Sequence, residues 1–250
     1  MLSENPSVCF FDSGIGGLSL LYECVRRLPR VDFTYFADNF NVPYGNYSHE
    51  ELIKCTDEVF SEINLLKPSA AVVACNTVTA QCIDFLRKKY SFNIIGIQPA
   101  VKPAAAVGGK CLLLSTPSTA ESQAVKSLVE EYGKGITQIA PCPDLAAYIE
   151  ENIDNLTPEG VQKLLPDIKA DSVVLGCTHY VFVKDIIKDY YNCPVFDGIE
   201  GTAAHLCEKL GIFDHKAFRA QKIAFRGGNV PKNRHVFNGL LRKQTSVSLT

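Results

Sequence analysis

Apolar residues in this chain gather in short unbroken runs, and behind most runs they recur at intervals of three and four. Val8-Cys9-Phe10-Phe11, Phe33-Thr34-Tyr35-Phe36-Ala37, Ala71-Val72-Val73-Ala74, Ile94-Ile95-Gly96-Ile97, Cys111-Leu112-Leu113-Leu114 and Val173-Val174-Leu175 are such runs. They lack the alternation of a half-exposed strand and predict strands buried on both faces. Val195-Phe196 and Ile223-Ala224-Phe225 predict two further short strands. The first helix is expected to carry Leu18, Leu21, Val25 and Leu28 and to stop at Pro29. A second carries Leu52, Ile53, Val59, Phe60 and Ile63 behind a Ser48–Glu51 capping box and ends before Pro68. Others are expected from the Cys75 run to about Tyr90, over Leu145, Tyr148, Ile149 and Ile153 with Asp144 as N-cap, through Ile186-Ile187, and from Asn233 to Lys243.

The pattern repeats. Cys177 lies 102 positions after Cys75, and the same ungapped offset brings Ser13 onto Ser115, Lys67 onto Lys169, Val72-Val73 onto Val174-Leu175 and Gly96-Ile97 onto Gly198-Ile199. A duplicated strand–helix unit predicts two similar α/β domains with mainly parallel sheets, related by a pseudo-twofold. The expected division is residues 1–97 with 210–250 for the first domain and 98–209 for the second. Open α/β sheets bind ligands beyond the carboxyl ends of their strands. Asp12-Ser13, Cys75-Asn76-Thr77, Ser115 to Thr119 and Cys177-Thr178-His179 all fall at such ends. Facing domains would set the two thiols on opposite sides of one interdomain cleft.

Composition narrows the function. Of 250 residues 46% are hydrophobic and 21% charged, and the net charge of −2 offers no basic surface for nucleic acid. No apolar run approaches a membrane span, and Met1 to Pro6 lack a signal-peptide core, so a cytoplasmic setting with no membrane partner is expected. The ten cysteines are spread through apolar segments without a Cys-x-x-Cys pair, which predicts reduced thiols and no metal site. Lys232, Arg234, Arg242 and Lys243 read as a solvated helix face.

Two opposed thiols suit one reaction class. Inverting a carbon that bears an acidic hydrogen needs one group to remove the proton and another to return one to the opposite face. A free thiol has a pKa of about 8.5 and needs a neighbouring acid–base group or a helix N-terminus to work near neutrality. Asp12 is placed to serve Cys75, and His179 to serve Cys177. No lysine or arginine stands in these clusters, so helix N-terminal amides with Ser13, Asn76, Thr77, Thr116, Thr119 and Thr178 are expected to hold a small anionic substrate. Asp12 to Gly17 lacks the lysine of a Walker A loop and the last glycine of a dinucleotide fingerprint.

Phe11-Asp12-Ser13-Gly14-Ile15-Gly16-Gly17, Val42-Pro43-Tyr44-Gly45, Ala74-Cys75-Asn76-Thr77 and Leu175-Gly176-Cys177-Thr178-His179-Tyr180 resemble, in order and spacing, the motifs of the glutamate racemases, over nearly the whole chain from Val8 to Phe225. The resemblance implies interconversion of L- and D-glutamate without a cofactor, supplying D-glutamate for peptidoglycan. It implies Cys75 and Cys177 as the bases. It also implies substrate contacts at Asp12, Ser13, Tyr44, Gly45, Asn76, Thr77, Thr178 and His179, and a Thr116–Thr119 turn. The second-half acid falls on Glu150, with Glu151 adjacent. Homodimers are common among similar proteins, and nothing in the sequence locates an interface. Asn41, Val78, Gln98, Val181-Phe182 and Gly228-Asn229 depart from the family pattern without removing an acid or base. They leave room for a relative acting on aspartate or another small acid, or for a weakly active paralogue that binds glutamate.

Overall fold

The computed structural model describes residues 5–211 and 221–247, with side chains as far as residue 242. The remainder of the expected 210–250 segment lies outside the described residues. The first half runs β1 (Ser7–Asp12), α1 (Leu18–Arg27), β2 (Asp32–Ala37), α2 (His49–Leu65), β3 (Ala70–Val73), α3 (Asn76–Lys89), β4 (Asn93–Gly96) and α4 (Val101–Ala105). The second half runs β5 (Cys111–Ser115), α5 (Pro117–Glu121), α6 (Gln123–Tyr132), β6 (Thr137–Pro141), α7 (Leu145–Asn152), α8 (Pro158–Gln162), β7 (Ser172–Gly176), α9 (Lys184–Tyr191), β8 (Val195–Phe196) and α10 (Ile199–Leu210). β9 (Ile223–Arg226) and α11 (Val230–Val247) follow. Single 3₁₀ segments at Tyr44–Asn46 and Thr178–Val183 complete the described elements.

The strands form two parallel sheets, ordered β4-β3-β1-β2-β9 and β6-β5-β7-β8. Mapping β1, β2, β3 and β4 onto β5, β6, β7 and β8 makes the two orders identical, apart from β9 at the edge of the first sheet. The repeat in the sequence is thus a repeat of topology, and the architecture is the expected pair of α/β layers. Central strands β1, β3, β5 and β7 are buried along nearly their whole length, because helices cover both faces. Edge strands β8 and β9 are not fully buried anywhere and carry the weakest hydrophobic runs.

The last helix of each half crosses to the other sheet. Val101 and Ala104 of α4 pack with Leu113 and Val174 of the second sheet. Ala203 and Leu206 of α10 pack in the first core, with Phe10, Leu21 and Val72. A division at residue 209 drawn from the sequence leaves α10 with the second domain, whereas its buried face lies in the first core. The crossings join the two layers at the ends of β4 and β8, and the carboxyl ends of β1, β3, β5 and β7 face one another.

Other elements differ from the expected pattern for local reasons. Ser48 and Glu51 form the full capping box on α2. Asp144 occupies the N-cap position of α7 but makes no capping hydrogen bond. After Cys177 the chain winds into 3₁₀ before α9 starts at Lys184. The terminal helix starts at Val230, three residues ahead of the expected Asn233, with the Asn229 side chain accepting from the Lys232 amide.

Candidate active site

Asp12 ends β1 and is fully buried. Its Oδ1 accepts from the Gly14 amide at 2.8 Å, and its Oδ2 accepts from the Thr178 hydroxyl, 166 positions away, at 3.0 Å. It does not cap α1, whose N-cap position is Gly17. The Tyr35 hydroxyl donates to the Gly14 carbonyl at 2.7 Å and pins the loop.

Gly14 and Gly16 of this loop make room for the second half of the chain. A Cβ on Gly14 would stand 2.3 Å from Glu150 Oε2, and one on Gly16 would stand 2.4 Å from Thr178 Oγ1 and 2.7 Å from His179 Nδ1. None of these glycines has a positive φ. The loop resembles a phosphate cradle in composition, but Gly14 and Gly16 serve contact between the halves, and Gly17 packs against Ala74 and Asp12 of the first. Gly45 does the same at the other rim, where an added Cβ would lie 2.7 Å from Thr116 Cβ.

Cys75 follows β3 and holds the N-cap position of α3. Its Sγ lies 3.9 Å from Ser13 Oγ. Burial, and then the charge of Asp12, push this thiol up to about 12, against the Val78 amide in the first turn of α3 and the Ser13 hydroxyl. Cys177 stands near enough that a charge on it also disfavours a charge on Cys75. Asn76 and Thr77 are the first two residues of α3, not its cap, and both are buried. Thr77 Oγ1 meets Thr116 Oγ1 at 3.0 Å and Thr119 Oγ1 at 3.1 Å, so one hydroxyl cluster joins the N-termini of α3 and α5. Asn76 Nδ2 and Ser115 Oγ are buried there without a hydrogen-bond partner among the described residues.

Cys177 follows β7, with its Sγ 4.0 Å from His179 Nδ1. The other ring nitrogen, Nε2, lies 2.6 Å from Glu150 Oε2. Glu150 is 5% exposed on the inner face of α7, while Glu151 faces solvent. Glu150 Oε2 also accepts from the Ile15 amide at 2.9 Å, and Oε1 accepts from Asn39 Nδ2 at 3.0 Å and Lys232 Nζ at 2.9 Å. Four donors fill the acceptor capacity of this carboxylate. Burial would raise its pKa, but the His179, Ile15 and Lys232 contacts outweigh burial and hold it down at about 2. Burial likewise opposes an imidazolium, yet hydrogen bonds toward Cys177 and Glu150 raise His179 well above 6.5. Asp12 is pushed up to about 6, by burial first, against His179, Gly14 and Thr178.

The structure therefore brings together Asp12, Ser13, Cys75, Asn76, Thr77, Thr116, Thr119, Glu150, Cys177, Thr178 and His179. Tyr44 is buried beside them, but its hydroxyl is engaged with Asp38 Oδ2 at 2.6 Å and its ring stacks on Tyr47. Lys232 corrects the expectation of a solvated face: it reaches into the site, whereas Arg234 and Arg242 are exposed. Asn39 and Lys232 carried no signal in the sequence. They meet Glu150 across 111 and 82 positions through packing alone. Among the described residues no group of three or more His, Cys, Asp or Glu side chains is arranged to hold a metal ion, and no helix is long and apolar enough to cross a membrane.

The chain and its fold have counterparts among known proteins. Residues 19–206 match the Asp/Glu/Hydantoin racemase family. The glutamate racemase of Clostridium acetobutylicum is 39% identical over 224 residues, covering 86% of this chain and 88% of the relative. The crystal structure of a glutamate racemase isoform from Bacillus anthracis superposes with a TM-score of 0.78 at 28% identity, covering 96% of this chain and 95% of that one. The Escherichia coli glutamate racemase, solved with L-glutamate and the activator UDP-MurNAc-Ala, gives 0.81 at 25% identity over the same shares. With nearly its whole length matched at this level, the chain belongs to the Asp/Glu/Hydantoin racemase family.

Proposed function

We propose that this protein interconverts L- and D-glutamate with Cys75 and Cys177 as the two acid–base groups, without a cofactor. The observation that carries the reading is the placement of two strand-end thiols in one site, each with its own charged companion: Asp12 for Cys75, the His179–Glu150 pair for Cys177. One thiolate takes the α-proton and becomes a thiol. The carbanion left behind is delocalised into the adjacent carboxylate. The opposite thiol then returns a proton to the other face and becomes the thiolate. The product leaves with inverted configuration, and one proton has moved between the sulfurs.

The companions support this division of labour. At pH 7 a thiol held at about 12 costs about 7 kcal/mol to ionise, so Cys75 rests as the thiol and enters as the acid. In the reverse direction its proton has a nearby acceptor in Asp12, poised at about 6, close to the working pH. His179 Nδ1 faces the Cys177 sulfur, with Glu150 fixing the ring from behind. The unpartnered Asn76 Nδ2, the Thr77–Thr116–Thr119 hydroxyls and the N-terminus of α3 suit the carboxylates of a small dianion. Matches to glutamate racemases over most of the chain favour glutamate over aspartate or a hydantoin. On this reading the product is D-glutamate for peptidoglycan, made in the cytoplasm.

The test is α-hydrogen exchange in deuterated water with each enantiomer of glutamate and of aspartate, with chiral analysis of the product. Glutamate of either hand should gain one α-deuterium as it inverts, and Cys75→Ser and Cys177→Ser should each lose racemisation by about 10²–10⁴-fold. Full turnover in the double Cys→Ser variant, or turnover of aspartate in place of glutamate, would overturn the reading.

A further inference from the structure

Glu150 belongs to the second half of the chain, yet half of its carboxylate is held by the first half and by the terminal helix. The Lys232 ammonium, from the first turn of α11, donates both to Oε1 at 2.9 Å and to the main-chain carbonyl of Glu150. Asn39 Nδ2, just beyond β2, donates to the same Oε1 at 3.0 Å. Asn39 is itself fixed: its Oδ1 accepts from the Asn229 amide at 3.0 Å and from Asn233 Nδ2 at 2.9 Å. Asn233 is fully buried, and the Lys232 side chain is 26% exposed. The start of α11 thus grips one oxygen of Glu150 while the other oxygen grips His179.

A carboxylate bonded through one oxygen swings about its last torsion, which is soft. Tying the second oxygen to a cation and an amide removes that freedom and fixes the imidazole behind it. We infer that Lys232 and Asn39 are positioning residues: from the terminal helix and the end of β2 they lock Glu150, and through it His179, into line with Cys177. The inference rests on the two-thiol reading above. It adds that the proton transfer at Cys177, and not the one at Cys75, depends on the terminal helix.

Because enantiomers have equal free energy, any variant must lower kcat/KM equally in the two directions. Isotope effects can still separate the two proton transfers. The experiment compares wild type, Lys232→Met, Lys232→Arg and Asn39→Ala, using α-deuterated L- and D-glutamate. Lys232→Met should lower kcat/KM about 10- to 100-fold, the worth of a charge-assisted hydrogen bond. Its primary isotope effect should rise for the enantiomer whose proton goes to Cys177 and fall for the other, since the Cys177 transition state then limits both directions. Asn39→Ala should shift the same way by less, and Lys232→Arg, which keeps a cationic donor, should stay within a few-fold of wild type. Isotope effects that move together in both directions, or not at all, would overturn the inference while leaving the two-thiol mechanism intact. A wild type that fails to exchange the α-hydrogen of glutamate would instead overturn the function itself.

Discussion

Replacing Asp12 by asparagine should make the protein more stable while removing its activity. Asp12 is fully buried, and its carboxyl is raised from 3.8 to about 6. A rise of about two pH units at about 1.4 kcal/mol each means that holding this group ionised costs the fold about 3 kcal/mol. The sign follows from proton binding. Between pH 3.8 and 6 the folded state holds the proton that the unfolded chain has already lost, so stability falls as pH rises through that window and the whole cost is present above it. Asparagine has nearly the same shape and never ionises. Its oxygen can still accept from Gly14, and the Thr178 hydroxyl can turn to accept from the new amide. Urea unfolding at pH 8 should therefore find Asp12→Asn more stable by about 3 kcal/mol, and at pH 5 by about half of that. Racemisation should fall by about 10²–10⁴-fold in the same variant, because Cys75 loses its proton acceptor. Equal stability of variant and wild type at pH 8, or a gain that does not shrink toward pH 5, would refute the claim that burial of a charged Asp12 is what sets its pKa.

Three further outcomes follow from the same geometry. Gly14→Ala places a methyl group 2.3 Å from Glu150 Oε2, so the halves must part; unfolding measurements should find a loss of about 1–3 kcal/mol, with turnover reduced more than tenfold. Thr77→Val removes the hydroxyl shared with Thr116 and Thr119, and steady-state kinetics should find KM raised about tenfold with kcat changed far less; a fall in kcat alone would contradict a binding role. With its thiol held at about 12, Cys75 should resist iodoacetamide at pH 7.5, reacting at least about 100-fold more slowly than a free thiol; mass spectrometry locates the label, and Asp12→Asn should speed its arrival.

Much of this molecule is legible in its sequence because its central strands are buried on both faces. Ala70–Val73 and Ser172–Gly176 need apolar side chains at every position, so they stand out as runs, and the 102-residue offset between Cys75 and Cys177 survives because both halves use one strand order. The helix swap is not legible in this way. Val101 and Ala203 look like any other apolar helix positions, and which sheet they cover is decided by the path between domains. The 3₁₀ winding after Cys177 was also hidden, since Thr178 to Val183 has the composition of an ordinary helix start. Lys232 reads as solvated because lysine on a terminal helix usually is. Its partner Glu150 lies 82 positions away, and no local pattern records that pairing.

The two halves share a topology but not an electrostatic environment, and the difference matters for the proposed chemistry. A two-base inversion needs one sulfur protonated and one not at the start of every turnover. Two identical half-sites would leave that choice to chance. Here Asp12 places a negative charge beside Cys75 and favours the thiol, whereas His179, raised well above 6.5, places a positive charge beside Cys177. The companions are also cross-linked. Asp12 is held by Thr178, the residue next to Cys177, and Glu150 is held by Ile15, Asn39 and Lys232. The Glu150 carboxylate is thus paired on one oxygen with His179 and on the other with Lys232. On the proposed mechanism a duplicated scaffold gives the opposed approach to the substrate, and the charge of Asp12 favours Cys75 as the sulfur that rests protonated.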